Sequence, residues 1–273
     1  MLHKMAVRMT VLASGSRGNC TVFSSSCGSI LVDAGLSCRE TLKRMKAAGE
    51  DPRQLKAIVI SHEHNDHVAG AQVLSRKLKI PVYMTAATYE SWRRSTRDAE
   101  GRPAKLEWHE PFQAGQSFSI GGIAVNPFTT CHDAADPCGF TFNAEGMKVG
   151  IAIDLGCITR NVAYALRGCD GLMIESNHDI EMLRNGSYPE MVKHRIRSRD
   201  GHLSNSDLAK FLADEYDGGA VFIVLAHLSE ENNHPELARQ TATQALSGKV
   251  NLFQASTLAI AQQDKPLQPL QVG

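Results

Sequence analysis

The chain has 273 residues, 42% of them apolar, and equal numbers of acidic and basic side chains, 29 of each, for a formal charge of zero. That length suits one α/β domain with a large buried core, and the charge balance excludes a global field drawing the protein to nucleic acid or an anionic membrane; basic residues serving such a partner must be local. No apolar run is long enough to span a bilayer, residues 1–9 lack the apolar segment of a signal peptide, and seven cysteines, an odd number without a C-x-x-C pair, point to a reduced, cytoplasmic protein.

Residues 10–12, 21–23 and 29–32 read as strands of a meander with glycines in the turns. Between the first two lies the Gly/Ser loop Ser14-Gly15-Ser16-Arg17-Gly18-Asn19, which offers Ser14 and Arg17 as substrate contacts, although tight turns use the same residues. Ser37 and Glu40 form a capping box for a helix running to 47–48, which Gly49 ends. Residues 57–60 read as a short buried strand and 68–78 as a helix.

Between that strand and that helix stands His62-Glu63-His64-Asn65-Asp66-His67, which packs four potential metal ligands into six residues. His62 and His64, two apart, can point to one ion; Asp66 and His67 are adjacent and can face a second.

Residues 81–84 follow as a strand, and Thr85 caps a helix through Arg94. The second half opens with β-segments at 117–120, 123–125, 140–142 and 149–153. Helices at 159–166, from Pro189 to Arg197, from the Ser204–Asp207 cap to Glu215, and from Pro235 to about Leu246 alternate with strands at 172–175 and 220–226. The polar, proline-containing residues 262–273 are expected to form a disordered tail, leaving 1–261 as a single domain. Arg93, Arg94 and Arg97, and the run 193–199, are either local basic patches or solvated helix faces.

Three further ligand types stand at the ends of β-segments: His132, within Cys131-His132-Asp133; Asp154; and His227. Side chains delivered by the ends of different strands can converge with the 62–67 cluster. Imidazole and carboxylate without thiolate suit zinc, manganese or iron rather than a cysteine-rich structural zinc. Cys20, Cys131 and Cys157 neighbour these positions but are expected to pack as small buried side chains.

These residues resemble the metallo-β-lactamase superfamily of dinuclear hydrolases, and in detail the bacterial YycJ/WalJ group. The matching stretches are Ser14 to Cys20, Asp33-Ala34-Gly35-Leu36-Ser37, His132-Asp133-Ala134-Ala135-Asp136-Pro137, Glu175-Ser176-Asn177-His178-Asp179, Gly201-His202-Leu203-Ser204-Asn205, and Ala226 to Asn233. The resemblance implies a four-layer αβ/βα sandwich; the alternation of helices and strands alone supports only α/β. It also implies a manganese- or zinc-dependent nuclease with 5′-to-3′ exonuclease activity on DNA. One ion would take His62, His64 and His132, the other Asp66, His67 and His227, with Asp154 bridging; none of the seven positions departs from the family's pattern.

Two such ions would generate a bridging hydroxide as nucleophile, with Asp66 orienting it. By likeness to tRNA-processing nucleases of the superfamily, His202 would be the general acid, supported by Glu175 or His178, and His178 is also placed to contact phosphate. Ser204 and Asn205 open a helix whose free N–H groups are a second phosphate candidate. The same metal centre would equally serve a small ester, thioester or cyclic phosphate. Which metal, DNA versus RNA, and oligomeric state stay open at this stage.

Overall fold

A strand that is apolar at successive positions needs cover on both faces, and this requirement organises the molecule. In the computed structural model, which describes residues 6–97, 101–249 and 257–273, strands fall into two seven-stranded sheets. The first contains β1 (Val7–Ala13), β2 (Cys20–Ser25), β3 (Gly28–Val32), β4 (Leu55–Val59), β5 (Val82–Thr85) and β6 (His109–Phe112). The second contains β7 (Phe118–Ile120), β8 (Ile123–Thr129), β9 (Cys138–Ala144), β10 (Met147–Ala152), β11 (Gly171–Glu175), β12 (Phe222–Ala226) and β13 (Thr257–Ile260). A last strand, β14 (Leu270–Val272), joins the edge of the first sheet against β1.

Alternate residues of each strand supply two different cores. Ile30, Val32, Ala57 and Val59 meet Val149, Ile151, Met173 and Val224 between the sheets, where Phe23 stacks on Phe142 with ring centroids 5.1 Å apart. The intervening Leu31 and Ile58 face outward beneath the helices α1 (Cys38–Ala47), α3 (Ala71–Leu78) and α4 (Ala86–Ser95), which contribute Met45, Leu74 and Trp92. Leu172, Ile223 and Leu225 face α5 (Arg160–Leu166), α8 (Asn205–Asp214) and α9 (Pro235–Leu246) on the far side. Helix, sheet, sheet, helix is the expected four-layer order. Each fully buried aromatic or aliphatic side chain contributes about 1.5–3 kcal/mol, so the central core carries much of the driving force. No helix among the described residues is long and apolar enough to cross a membrane.

Helix starts follow the capping chemistry of the sequence. Ser37, Thr85, Thr159 and Ser204 each accept a backbone N–H of the first turn. The helix expected over 68–78 is instead two pieces, α2 (Asn65–Val68) and α3, broken at Gly70. Gly70 N–H donates to Ala34 O at 2.8 Å, and a Cβ there would overlap Leu36 O, so a contact distant in sequence interrupts the helix. Asp66 and His67 therefore sit on a helical turn rather than in a loop. The edge strands β6 and β13 and the short helix α6 (Ile180–Asn185) lie outside the elements expected.

The disordered tail expected for 262–273 is not observed. Val272 pairs with Val7, Leu267 N–H donates to Val11 O at 2.8 Å, and Val272 is buried with Leu267 and Leu270 packed against the inter-sheet core. Three apolar residues in an otherwise polar tail are enough when they cover an unpaired strand edge.

Strands β3 to β6 run parallel, as do β10 to β13. The loops that follow β3, β4, β10 and β12, together with the end of β11, bring Asp33, residues 61–67, Asp154, Glu175 and His227 to one mouth, the carboxyl end where open α/β sheets hold ligands.

Candidate metal centre

Donor atoms of the expected ligands converge from four loops. His62, His64 and His132 offer nitrogens mutually within 4.8 Å, and so do the donors of Asp66, His67 and His227. Asp154 approaches both groups, with Oδ2 2.7 Å from His67 Nε2 and Oδ1 3.8 Å from His132 Nε2. Asp33, Asp154 and His227 hold left-handed backbone, with φ of 58°, 54° and 54°. A non-glycine residue there costs roughly 1–2 kcal/mol. Three such residues at one site mark strain held by the surrounding structure to aim side chains.

Buried acceptors set the tautomer of the imidazoles. His67 Nδ1–H donates to Asp33 Oδ2 at 2.8 Å, and His132 Nδ1–H to Gly201 O at 3.0 Å. His227 Nδ1–H donates to Glu175 Oε1 at 2.9 Å. His62 Nδ1–H donates to Ser61 Oγ at 3.0 Å, and that hydroxyl donates in turn to Asp33 Oδ2 at 3.0 Å. With Nδ1–H committed, each Nε2 presents a lone pair to the centre. Nε2 of His62 and of His227 are buried without a hydrogen-bond partner. Asn19 Nδ2 lies 3.0 Å from His67 Nε2 and 3.2 Å from Asp66 Oδ2. Converging imidazoles, four of them oriented by a second hydrogen bond through Nδ1–H, together with carboxylates, are what divalent-metal ligands require.

The electrostatics point the same way. Burial lowers His67, yet the carboxylates of Asp33 and Asp154 outweigh it and hold the group well above the ordinary imidazole range. His227 behaves alike, burial being outweighed by Asp154, Asp66 and Glu175. Burial raises Asp66, but His227 and His67 pull it below the usual carboxylate range. Without metal, these carboxylates favour a proton between His67 Nε2 and Asp154 Oδ2, which lie 2.7 Å apart. A dication satisfies the same demand for positive charge, and the residues present fit it.

Glu175 lies at the centre of the supporting shell. Its Oε1 accepts from His227 and, at 2.8 Å, from His202 Nδ1–H; its Oε2 accepts from Leu155 N–H at 2.7 Å and Leu203 N–H at 3.2 Å. His202 Nδ1 is also 3.4 Å from Asp154 Oδ1. His178 is buried with Nδ1 unpartnered, and burial pushes it down to about 4, so it is neutral near pH 7.

The other expected substrate contacts have different partners. Ser14 is buried, and its Oγ accepts His227 N–H at 2.8 Å, holding the backbone of that expected ligand. Arg17 is exposed but pairs with Glu230 at 2.5 Å and Asp264 at 2.8 Å. Ser204 Oγ accepts Asp207 N–H, and Asn205 N–H donates to His178 O. Two of the first-turn N–H groups offered as a phosphate site are thereby used within the fold. The Asn205 side chain is buried in a network with Ser176 and Asn233.

Comparison with known proteins now decides the family. Residues 29–227 match the model of the β-lactamase superfamily domain. Over 90% of its length the chain is 37% identical to exodeoxyribonuclease YycJ of Bacillus anthracis, covering 91% of that protein, and 35% identical to exodeoxyribonuclease WalJ of Streptococcus pneumoniae, covering 90% of it. The chain belongs to the metallo-β-lactamase superfamily. Among solved structures, the metallo-β-lactamase fold protein YhfI from Bacillus subtilis superposes with a TM-score of 0.69 at 18% identity, over 97% of this chain and 99% of that one, which speaks for the fold alone.

As a member of this superfamily the chain is a metal-dependent hydrolase. The residues that sequence reasoning missed are those that orient the expected ligands: Asp33, Ser61 and Asn19. Asp33 was visible only as part of an Asp-Ala-Gly turn after a strand, and Ser61 carried no signal beyond adjacency to His62.

Proposed function

We propose that the chain is a dinuclear divalent-metal phosphodiesterase acting on nucleic acid, a 5′-to-3′ exodeoxyribonuclease. The observation that carries this reading is the pair of triads, His62–His64–His132 and Asp66–His67–His227, within reach of one buried carboxylate, Asp154. Two relatives matched over nine-tenths of the chain are named exodeoxyribonucleases, which supports DNA as substrate; the direction of digestion rests on the family resemblance alone.

Each triad would hold one ion, zinc or manganese with iron as a third candidate, and Asp154 would serve both. Bound there, the ions would supply Lewis acidity, ionising a water near neutral pH and stabilising charge on phosphate oxygens. Asp66 keeps its negative charge and orients the attacking oxygen. Glu175 fixes the His202 ring through Nδ1–H, which leaves Nε2 to give its proton to the departing alkoxide oxygen. Burial lowers His202, but Glu175 and Asp154 outweigh it and raise the group above its ordinary value, which favours the proton the leaving oxygen needs. The odd cysteine count and the free thiols are consistent with the cytoplasm.

The test is digestion of end-labelled DNA and RNA after chelation and readdition of manganese or zinc. Wild type should shorten DNA from the 5′ end, Asp66→Ala should be inactive at any pH, and His202→Ala should be about 10²–10⁴-fold slower with its metal retained. Hydrolysis of a thioester without cleavage of any phosphodiester would transfer the centre to small-ester chemistry. Equal metal loss in both variants would make His202 a ligand.

A further inference from the structure

One wall of the centre is built by α7 (Glu190–Arg197) and the turn after it. His132 donates to Gly201 O, and His202 N–H donates to Ile196 O at 2.9 Å, so residues 195–202 are fixed against the ligand loops. From this segment two arginines stand beside the loop that carries His132. Arg195 Nε donates to Asp133 Oδ2 at 2.5 Å, and Asp133 Oδ1 lies 3.5 Å from His132 Nε2. Arg199 stands on the other side: its carbonyl packs against Gly156, whose N–H donates to Cys131 O at 2.7 Å. Both arginines are exposed, the Arg195 side chain by 64%.

Their value to the fold is small. An exposed ion pair contributes about 0–1 kcal/mol. Their position is more telling. The buried carboxylates of Asp33, Asp154 and Glu175 offset the positive charge that bound ions would bring to the interior, and the chain's formal charge of zero supplies no global field for a polyanion. Attraction for the phosphates next to the one at the ions must come from cations at the rim, and guanidinium forks match phosphate oxygens. The end of α7 nearest the site is its C-terminus, the negative end of the helix dipole, so the side chains and not the helix must provide the attraction.

We propose that Arg195 and Arg199 bind backbone phosphates neighbouring the one being cut, making the end of α7 the track by which a polynucleotide enters the centre. The inference rests on the phosphodiesterase reading above but is tested by binding rather than turnover. Metal-loaded full-length protein is titrated, at several salt concentrations, into a labelled single-stranded oligonucleotide whose phosphorothioate linkages resist cleavage, with fluorescence anisotropy as readout. Arg195→Gln and Arg199→Gln should each weaken binding about tenfold, and each should reduce the slope of log affinity against log salt by about 0.7. Arg195→Lys, which keeps the charge, should retain the slope.

Metal content and melting temperature establish that each variant is folded. Should one variant unfold, the other carries the test. Unchanged affinity and slope in the variants overturns the track, whatever their turnover. A weaker affinity with an unchanged slope also overturns it, since the arginines would then act only by shaping the His132 loop. A wild type that binds with the arginine-dependent slope yet cuts no phosphodiester keeps the track and removes the catalytic reading.

Discussion

Asp33 Oδ2 accepts from His67 Nδ1–H at 2.8 Å while its own backbone sits at φ 58°. The strained turn puts one carboxylate beneath two imidazoles, since Asp33 also accepts the Ser61 hydroxyl that receives His62 Nδ1–H. Removing it frees both rings to take the other tautomer. Asp33→Ala should weaken metal binding about 10–100-fold, measured by competition with a chromophoric chelator. Asp33→Gly relieves the backbone strain without restoring the carboxylate, so it should bind metal as poorly as Asp33→Ala. Recovery of affinity in the glycine variant would show that backbone strain, and not the acceptor, was at fault.

Glu175 is shared by His202 and His227, and its carboxyl has a pH signature in the metal-free protein. Burial raises it, but the two histidines outweigh burial and hold it at about 2, below the ordinary 4.5. A depressed carboxylate stabilises the fold above 4.5, and that contribution is lost as the pH falls from 4.5 to 2. His202, raised above 6.5, contributes stability that is complete below 6.5 and disappears as the pH rises through its folded value. The pair is therefore at full strength between these limits. Denaturant unfolding in chelator should show the wild type losing on the order of 3 kcal/mol more than Glu175→Gln across the acid window. A wild-type-to-variant difference that stays constant with pH would remove the assignment.

Gly35 shows how closely the backbone must approach the ligands. A Cβ there would overlap the Asp66 carbonyl oxygen, which accepts Asn19 N–H at 2.7 Å, and neighbouring Ala34 N–H donates to His67 O at 2.7 Å. Gly35→Ala has to push the turn that carries Asp66 and His67. It should cost about 1–3 kcal/mol through overpacking, and by elemental analysis it should lose the ion of the Asp66–His67–His227 triad while retaining the other. Loss of both ions together would mean that the triads do not fill independently.

What could be read in advance was chemistry concentrated in few residues. The 62–67 cluster and the ligand types ending β-segments at Asp154 and His227 stand out because imidazoles and carboxylates rarely follow apolar runs, and the structure gathers their donor atoms. Helices opened by Ser37, Thr85, Thr159 and Pro235 were legible because capping is local. Asp33, Ser61 and Asn19 were not, since aspartate, serine and asparagine are ordinary turn residues until a distant histidine needs an acceptor or donor. The break at Gly70 likewise depends on carbonyls of Ala34 and Leu36. Strands β6 and β14 owe their form to pairing rather than to any period of their own, which is why His109–Phe112 and Leu270–Val272 escaped notice.

The last strand makes the tail part of the site. Gln263 accepts Arg17 N–H at 2.8 Å through Oε1 and Arg44 Nη1 at 2.7 Å through its backbone oxygen, and its Nε2 donates to Gly18 O at 3.0 Å. Those bonds pin the loop whose Ser14 holds His227 and whose Asn19 faces His67 and Asp66. Ending the chain after Gln262 removes them, bares the β1 edge and exposes apolar surface beneath Leu267, Leu270 and Val272. Burial of three such side chains, two of them partial, is worth about 3 kcal/mol, which corresponds to a melting temperature roughly 10 °C lower. The bare strand edge should also make aggregation depend on protein concentration. Leu270→Ala keeps the edge paired and should lower the melting temperature by less, with no aggregation in light scattering. If truncation leaves melting temperature and metal affinity unchanged, residues 263–273 neither cover β1 nor brace the loop.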